Sequence, residues 1–405
     1  MTRFDATPCA LVTVLFAALV ISSSCSAELA DHAEHAYYEQ QPYDPEPSAI
    51  TEALTGASYA SLAAEELPGY GLAQIEAQLP LLKQYGVSLV LHWPSAKLGV
   101  NDPRWAFVAK AQAMGVVAKP WLLLPEGATA QTGYFPNSTN ATEFVARAKQ
   151  LIATWNAKGL KPATFIVDME LRKDRLDAVL ASQRAGTTDQ TVALLASYVN
   201  RAQFAAAKQT YKGFVDWAHS TSLATHPKGP WKVQVGTLPQ LIDDYTIGDW
   251  DDDLAQAFNS PIEGAAWDNI SFMTFRTLFS GIVGKPMTSY FVYDYARYAK
   301  QRYGARAGVV LGVTDVGVTP GVPVYKNGSE LRDDIEAAIL AGISPSKIDV
   351  YSLKGVVAAV NAPAAQWFPT ARSGQPEPGV DEGTTTMHTI YWSLDALLNV
   401  AAIGR

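Results

Sequence analysis

Cysteine is nearly missing from this chain: of 405 residues, only Cys9 and Cys25 carry a thiol. Both lie in or at the edge of the first apolar segment. Past that segment there can be no disulfide and no thiol nucleophile, so stability must come from the core alone. Membrane-length apolar runs are missing as well. The uncharged run at residues 10–21 holds 12 residues, too short for a hydrocarbon core of ~30 Å but suited to the h-region of a signal peptide. Arg3 supplies the positive end, weakened by Asp5, and Ser22, Ser23, Ser24 and Cys25 follow. Two cleavage routes stay open. A lipoprotein peptidase would leave Cys25 lipidated, although Ser22 stands where such signals usually carry Leu; an ordinary peptidase would cut after Ala27. Residues 1–27 are therefore expected to direct export, to the exterior or to the cell envelope through a lipidated Cys25.

A basic excess is also lacking. A net charge of −8 and a pI near 5.3 argue against nucleic acid or an anionic membrane as partner. No self-similar repeat occurs. Residues 28–50, with Pro42, Pro45 and Pro47, read as a polar tether. No further Pro/Gly/Ser linker appears until about residue 373, so residues 51–405 are expected to form one domain and a monomer. No His-x-His pair follows the first strand, and His219, His226 and His388 are scattered. Neither metal nor cofactor is expected. The acidic run Asp249, Asp251, Asp252 and Asp253 invites a calcium reading but lacks EF-hand spacing, and reads instead as the cap of a helix starting near Leu254. Asn137, Asn140, Asn269 and Asn327 open Asn-x-Ser/Thr triplets, taken as chance because Cys25 points to a bacterial envelope.

What is present is apolar mass, 48% of the chain, in alternating patterns. Short β-branched runs at 57–64, 87–92, 116–124, 163–169, 232–238, 269–275, 307–314 and 347–353 read as strands. Between them lie helical patterns such as Leu72 to Tyr85, Ala141 to Lys158, Ser289 to Tyr303 and Leu331 to Ala341. Gly86, Gly115, Gly159, Gly304 and Gly342 sit at the C-cap position just before strands. Residues 386–399 supply a closing helix. Eight strand–helix units predict a single (β/α)8 TIM barrel. A doubly wound open sheet is disfavoured because no Gly-rich phosphate loop follows any strand.

In a barrel, function sits where the strands end. The run Thr164 to Glu170 ends in Asp168-Met169-Glu170, which alternation places with both carboxylates on one side of the strand. Partly desolvated together, they repel, and one should keep its proton near neutral pH. Glycosidic cleavage needs such an acid to protonate the leaving oxygen. A solvated loop start paired with Arg172 or Lys173 is the plainer alternative.

The stretch Glu143 to Glu170 (helix, Lys158-Gly159, then a strand ending Asp-x-Glu) resembles family-18 glycoside hydrolases of the chitinase type. Their fourth strand ends Asp-x-x-Asp-x-Asp-x-Glu. Ser271 to Arg276 resembles the family's sixth-strand Met-x-Tyr-Asp, and Val309 to Gly312 its seventh-strand Val-x-Leu-Gly. Family-25 lysozymes also carry Asp-x-Glu on a barrel strand. The resemblance implies Glu170 as acid and Asp168 as its partner, with an amino sugar as substrate. It departs where Ala163 and Ile166 replace the two earlier aspartates, and where Phe275 and Arg276 replace the Tyr and Asp. In that family the lost Tyr helps the substrate's N-acetyl group act as nucleophile.

Candidates for a second carboxylate are Glu65, Glu66, Glu126, Asp243, Asp244 and Asp315, with Glu126 and Asp315 preferred because each lies just past a strand. A retaining enzyme needs ~5–5.5 Å between the carboxyls and an inverting one ~6.5–9.5 Å. Sugar rings stack on aromatic faces. Trp93 and Tyr134 are expected in a cleft, with Tyr351 and His92 also facing substrate, while Trp105 and Trp155 are expected in the core. Arg276 would bind an anionic sugar group or pair with Asp168 or Glu170. The expected activity is hydrolysis of an extracellular or cell-envelope polysaccharide or oligosaccharide. The rivals are a non-catalytic carbohydrate-binding barrel, and a lyase or phosphodiesterase using His92 and Arg276.

Overall fold

The computed structural model describes residues 57–66, 69–124, 135–171, 173–185, 188–221, 230–246, 251–314, 323–358 and 363–403. The expected signal segment and tether, and the candidates Glu126, Tyr134 and Asp315, lie outside the described residues. Eight strands form: β1 (Ser61–Ala64), β2 (Ser88–Pro94), β3 (Ala118–Leu123), β4 (Thr164–Met169), β5 (Lys232–Thr237), β6 (Asn269–Thr274), β7 (Ala307–Gly312) and β8 (Ile348–Tyr351). They pair in parallel in sequence order, and β8 closes on β1. The expected (β/α)8 barrel is the observed one.

Between β1 and β4 the barrel is wrapped by α1 (Leu72–Glu76), α2 (Leu79–Tyr85), α3 (Pro103–Met114) and α4 (Ala141–Ala157). After β4 come α5 (Lys173–Arg184), α6 (Thr188–Tyr198) and α7 (Arg201–Ser220), and after β5 the short α8 (Asp243–Thr246) and α9 (Asp253–Ala257). The last set is α10 (Arg276–Val283), α11 (Ser289–Tyr303), α12 (Gly328–Leu340), α13 (Leu353–Val357) and α14 (Glu382–Ile403). The single helix expected over Leu72 to Tyr85 is two. Pro80 has no N–H for the preceding turn and its ring blocks that turn's carbonyl, so the helix restarts around it. Gly86 (φ 69°) and Gly115 (φ 87°) close their helices in the left-handed region, as a C-cap there requires. Among the described residues no full-length helix covers the β5–β6 connection; α14 packs on α8 and α9 instead.

Alternation assigns each strand residue a direction. On β4, Phe165 points outward and meets Phe144 at 6.3 Å and Phe214 at 5.5 Å. Inside, the N-terminal half of the barrel is polar. Asp349 accepts hydrogen bonds from the Ser61 hydroxyl, from Gln234 Nε2 at 2.6 Å and from Lys119 Nζ at 3.4 Å. Gln234 also donates to Ser271 Oγ at 3.2 Å. Buried this way, each polar group needs partners, and the network supplies them to Asp349, Gln234, Ser61 and Ser271. Gly308 makes room for it: a Cβ there would fall 2.7 Å from Asn269 Oδ1, Ser271 Oγ and the Lys347 carbonyl. Gly308→Ala is therefore expected to cost about 1–3 kcal/mol through overpacking. The check is a lower denaturation midpoint at unchanged m-value.

Candidate active site

At the C-terminal mouth the inward positions change character from amide and hydroxyl to carboxyl and aromatic. Asp168 points inward from the end of β4, beside Gly236 of β5, whose missing side chain leaves space next to its Oδ1. Glu170 follows on the same side. Glu65, just past β1, accepts a hydrogen bond from the Tyr351 hydroxyl at 3.1 Å and lies 4.0 Å from His92 Nδ1. Trp121 stands between these groups, 5.6 Å from the His92 ring and 6.4 Å from that of Tyr351. Phe275 flanks Tyr351 at 6.1 Å. Five strands thus place three carboxyls and a partial aromatic wall at one end of the barrel.

The electrostatics follow from enclosure. Burial pushes Asp168 up to about 7; the Trp121 indole N–H, close by but without full hydrogen-bond geometry, opposes the rise, and the Glu65 charge adds to it. Burial, and then the neighbouring Asp168, raise Glu170 well above the ordinary carboxyl range. His92 is driven down to about 4 by burial and by the charge of Arg104, so it is neutral at pH 7. A mouth built this way holds at least one carboxylic proton at neutral pH, with Asp168 ionising near neutrality beside it.

The structure sorts the sequence candidates. Asp168, Glu170, His92 and Tyr351 are brought together. Of the candidate second carboxylates, Glu66 is bound to Arg104, and Asp243 to Tyr295 and His388, away from the mouth. Glu65 alone among the described candidates shares the mouth. Trp93 corrects an expectation. β2 runs on through Pro94 instead of ending at His92, so Trp93 keeps the outward direction and is fully buried against Trp105 at 4.3 Å. It presents no face to a sugar. Arg276 is likewise turned away: its Nε binds both carboxylate oxygens of buried Asp334 at 2.9 and 3.0 Å, and Nη1 donates to the Met287 carbonyl. It pairs with neither Asp168 nor Glu170, and no His92–Arg276 couple exists. Trp105 and Trp155 are core, as expected. Trp121 was not singled out in the sequence, although Lys119 two residues earlier marks its direction. A lysine inside a barrel strand can only face the polar interior, and Trp121 shares its side.

No protein-family model matches the sequence, and no curated protein matches it either. Among solved structures, the chain is similar to a GH18 chitinase from Pseudoalteromonas aurantia, at 9% identity and a TM-score of 0.40, covering 75% of this chain and 96% of that one. A chitinase from Chromobacterium violaceum aligns at 12% identity and a TM-score of 0.43, covering 77% and 97%. The GH99 endo-alpha-mannosidase from Bacteroides thetaiotaomicron aligns at 12% identity and a TM-score of 0.37, covering 79% and 77%. These neighbours are glycoside hydrolases built on a barrel. At such identity the likeness is one of fold.

Proposed function

We propose that this protein hydrolyses glycosidic bonds in an extracellular or cell-envelope polysaccharide, amino-sugar polymers included. One observation carries the reading: Asp168 and Glu170 lie together inside the mouth of the barrel, both held toward the protonated form, with Glu65 close by. Glu170 is assigned as the general acid that protonates the leaving oxygen, and Asp168 as the carboxylate that keeps that proton in place. Glu65 is assigned as the second carboxylate; the Tyr351 hydroxyl orients it. Trp121 and Tyr351 would receive the apolar face of a sugar ring. Arg276 has no part in this reading. Export follows from the amino-terminal segment, with Cys25 as a lipid anchor or Ala27 as the last residue removed.

The test is release of reducing ends by residues 28–405 from chitin, peptidoglycan, galactosamine polymers and uronate polymers. Release from one of them supports the proposal. Co-sedimentation with a polymer that is never cleaved would replace it with the carbohydrate-binding barrel.

A further inference from the structure

A second cluster of acids lies on the outside of the barrel, where the β5–β6 connection meets the last helix. Asp244 of α8, Asp251, Asp253 of α9 and Asp395 of α14 each offer a carboxylate oxygen, and these oxygens lie within 4.8 Å of one another. Asp244, Asp253 and Asp395 are buried and Asp251 is exposed. Four carboxylates do not gather in this way without something to neutralise them. The nearby cations are engaged elsewhere: Lys208 binds Asp252 at 2.8 Å and Arg302 reaches Glu263 at 3.5 Å. Asp244 is the telling member. It has no exposed surface, no ion pair with a cation among the described residues, and an Oδ2 that no N–H or hydroxyl donor reaches; its close contact with Asp395 is carboxyl against carboxyl. A buried carboxylate oxygen lacking a donor and surrounded by other carboxylates is aimed at a ligand that is itself positive.

We propose that Asp244, Asp251, Asp253 and Asp395 bind one calcium ion, which fastens the C-terminal helix α14 to the β5–β6 connection. An all-oxygen, all-carboxylate donor set selects a hard cation. Calcium–oxygen distances of ~2.3–2.6 Å put ligands on opposite sides of the ion about 4.6–5.2 Å apart, which suits this spacing. Magnesium, at ~2.0–2.1 Å, would require the cluster to contract. Entry is provided for. Asp251 lines two surface cavities, of about 490 and 470 Å³, so a hydrated ion can meet the exposed carboxylate before losing its water to the buried three. The fold explains why a single helix covers so much here. The short α8 and α9 span only one turn or so each, and calcium would tie them to α14, which packs on both. The sequence alone shows only part of this site. Asp251 and Asp253 belong to a run without EF-hand spacing, while Asp244 and Asp395 come from distant parts of the chain.

The test is thermal unfolding of the full mature chain, stripped with chelator and then supplied with calcium or magnesium as the plain chloride at ~100 times the fitted Kd. Calcium is expected to raise Tm by about 3–4 °C and to bind once per chain by calorimetry, with magnesium weaker. Asp244→Asn/Asp395→Asn replaces two mutually repelling acids with neutral amides, so it should melt no lower than stripped wild type and no longer respond to calcium. Asp251→Asn, at the exposed ligand, should weaken the response without altering the stripped protein. A wild-type Tm indifferent to calcium would overturn the proposal and leave the cluster neutralised by shared protons. A calcium shift that persists in the double variant would overturn it too, by placing the ion elsewhere.

Discussion

Replacing Glu170 with Gln will lower turnover on the cleaved polymer by ~10²–10⁴-fold while leaving the protein folded, because the amide keeps the shape of the carboxyl but has no acidic proton to give. The fall belongs in kcat more than in KM, since the acid acts in the transition state. Stability should hold or rise. Asp168 and Glu170 both ionise less readily when folded than when unfolded, so above an ordinary carboxyl pKa of ~4 each takes stability away, and an uncharged Gln relieves that cost. A variant that loses activity and Tm together would point to a structural role instead.

The same pair sets the pH dependence. Its protons are held in common: Asp168 ionises first, near 7, and its charge helps hold the Glu170 proton, so the doubly ionised mouth becomes populated only at higher pH. A step that needs a protonated acid must then fade, so kcat/KM should show a basic limb. Asp168→Asn removes the like charge that helps hold the Glu170 proton. Its basic limb is expected to move to lower pH, with a smaller loss at acid pH than the Glu170 variant shows. An unmoved limb would separate Asp168 from the acid.

The barrel was legible because its strands are short, apolar and punctuated by C-cap glycines, features set by local sequence. The site was legible only in part. Asp168 and Glu170 share a strand, so alternation alone put them on one side. Glu65 was one of several acids past strand ends, and only closure of β1 on β8 brings it to the Tyr351 hydroxyl. Trp93 was misplaced by a strand end two residues too early, enough to change a buried packing residue into an expected sugar platform. Arg276 was misread for a different reason: its partner Asp334 lies on α12, 58 residues away, and no local pattern announces it. A better rule was available. Lys119, Gln234 and Asp349 are polar residues inside apolar strands, and each marks the inward side; counting two positions on from Lys119 and Asp349 reaches Trp121 and Tyr351.

The second large effect is on stability, at His388. This ring, on α14, is buried between two carboxylates: Nδ1 against Asp243 Oδ1, and Nε2 2.7 Å from Asp294 Oδ2. It stacks between Tyr295 and Trp392. Burial alone would lower its pKa, but the two acids outweigh it and raise it from 6.5 to about 10, so the ring is cationic at pH 7. His388→Leu strands both acids. Asp294 keeps Arg297 at 2.8 Å, but Asp243 keeps only the Tyr295 hydroxyl at 2.9 Å. The expected loss is about 3–5 kcal/mol, the usual cost of removing one partner from a buried ion pair, or roughly 4–7 °C in Tm for a domain of this size. The sign of the pH dependence separates this from a simple cavity. A histidine raised on folding stabilises fully below its unfolded pKa of 6.5, and that contribution is lost as pH climbs toward 10. Wild type should therefore lose stability between those limits, and the Leu variant should lack that slope. Changing Asp243 to Asn in the His388→Leu background should recover part of the loss, because the stranded charge goes with it. Equal slopes in wild type and variant would mean that the ring is neutral in the folded protein and that α14 is held by packing.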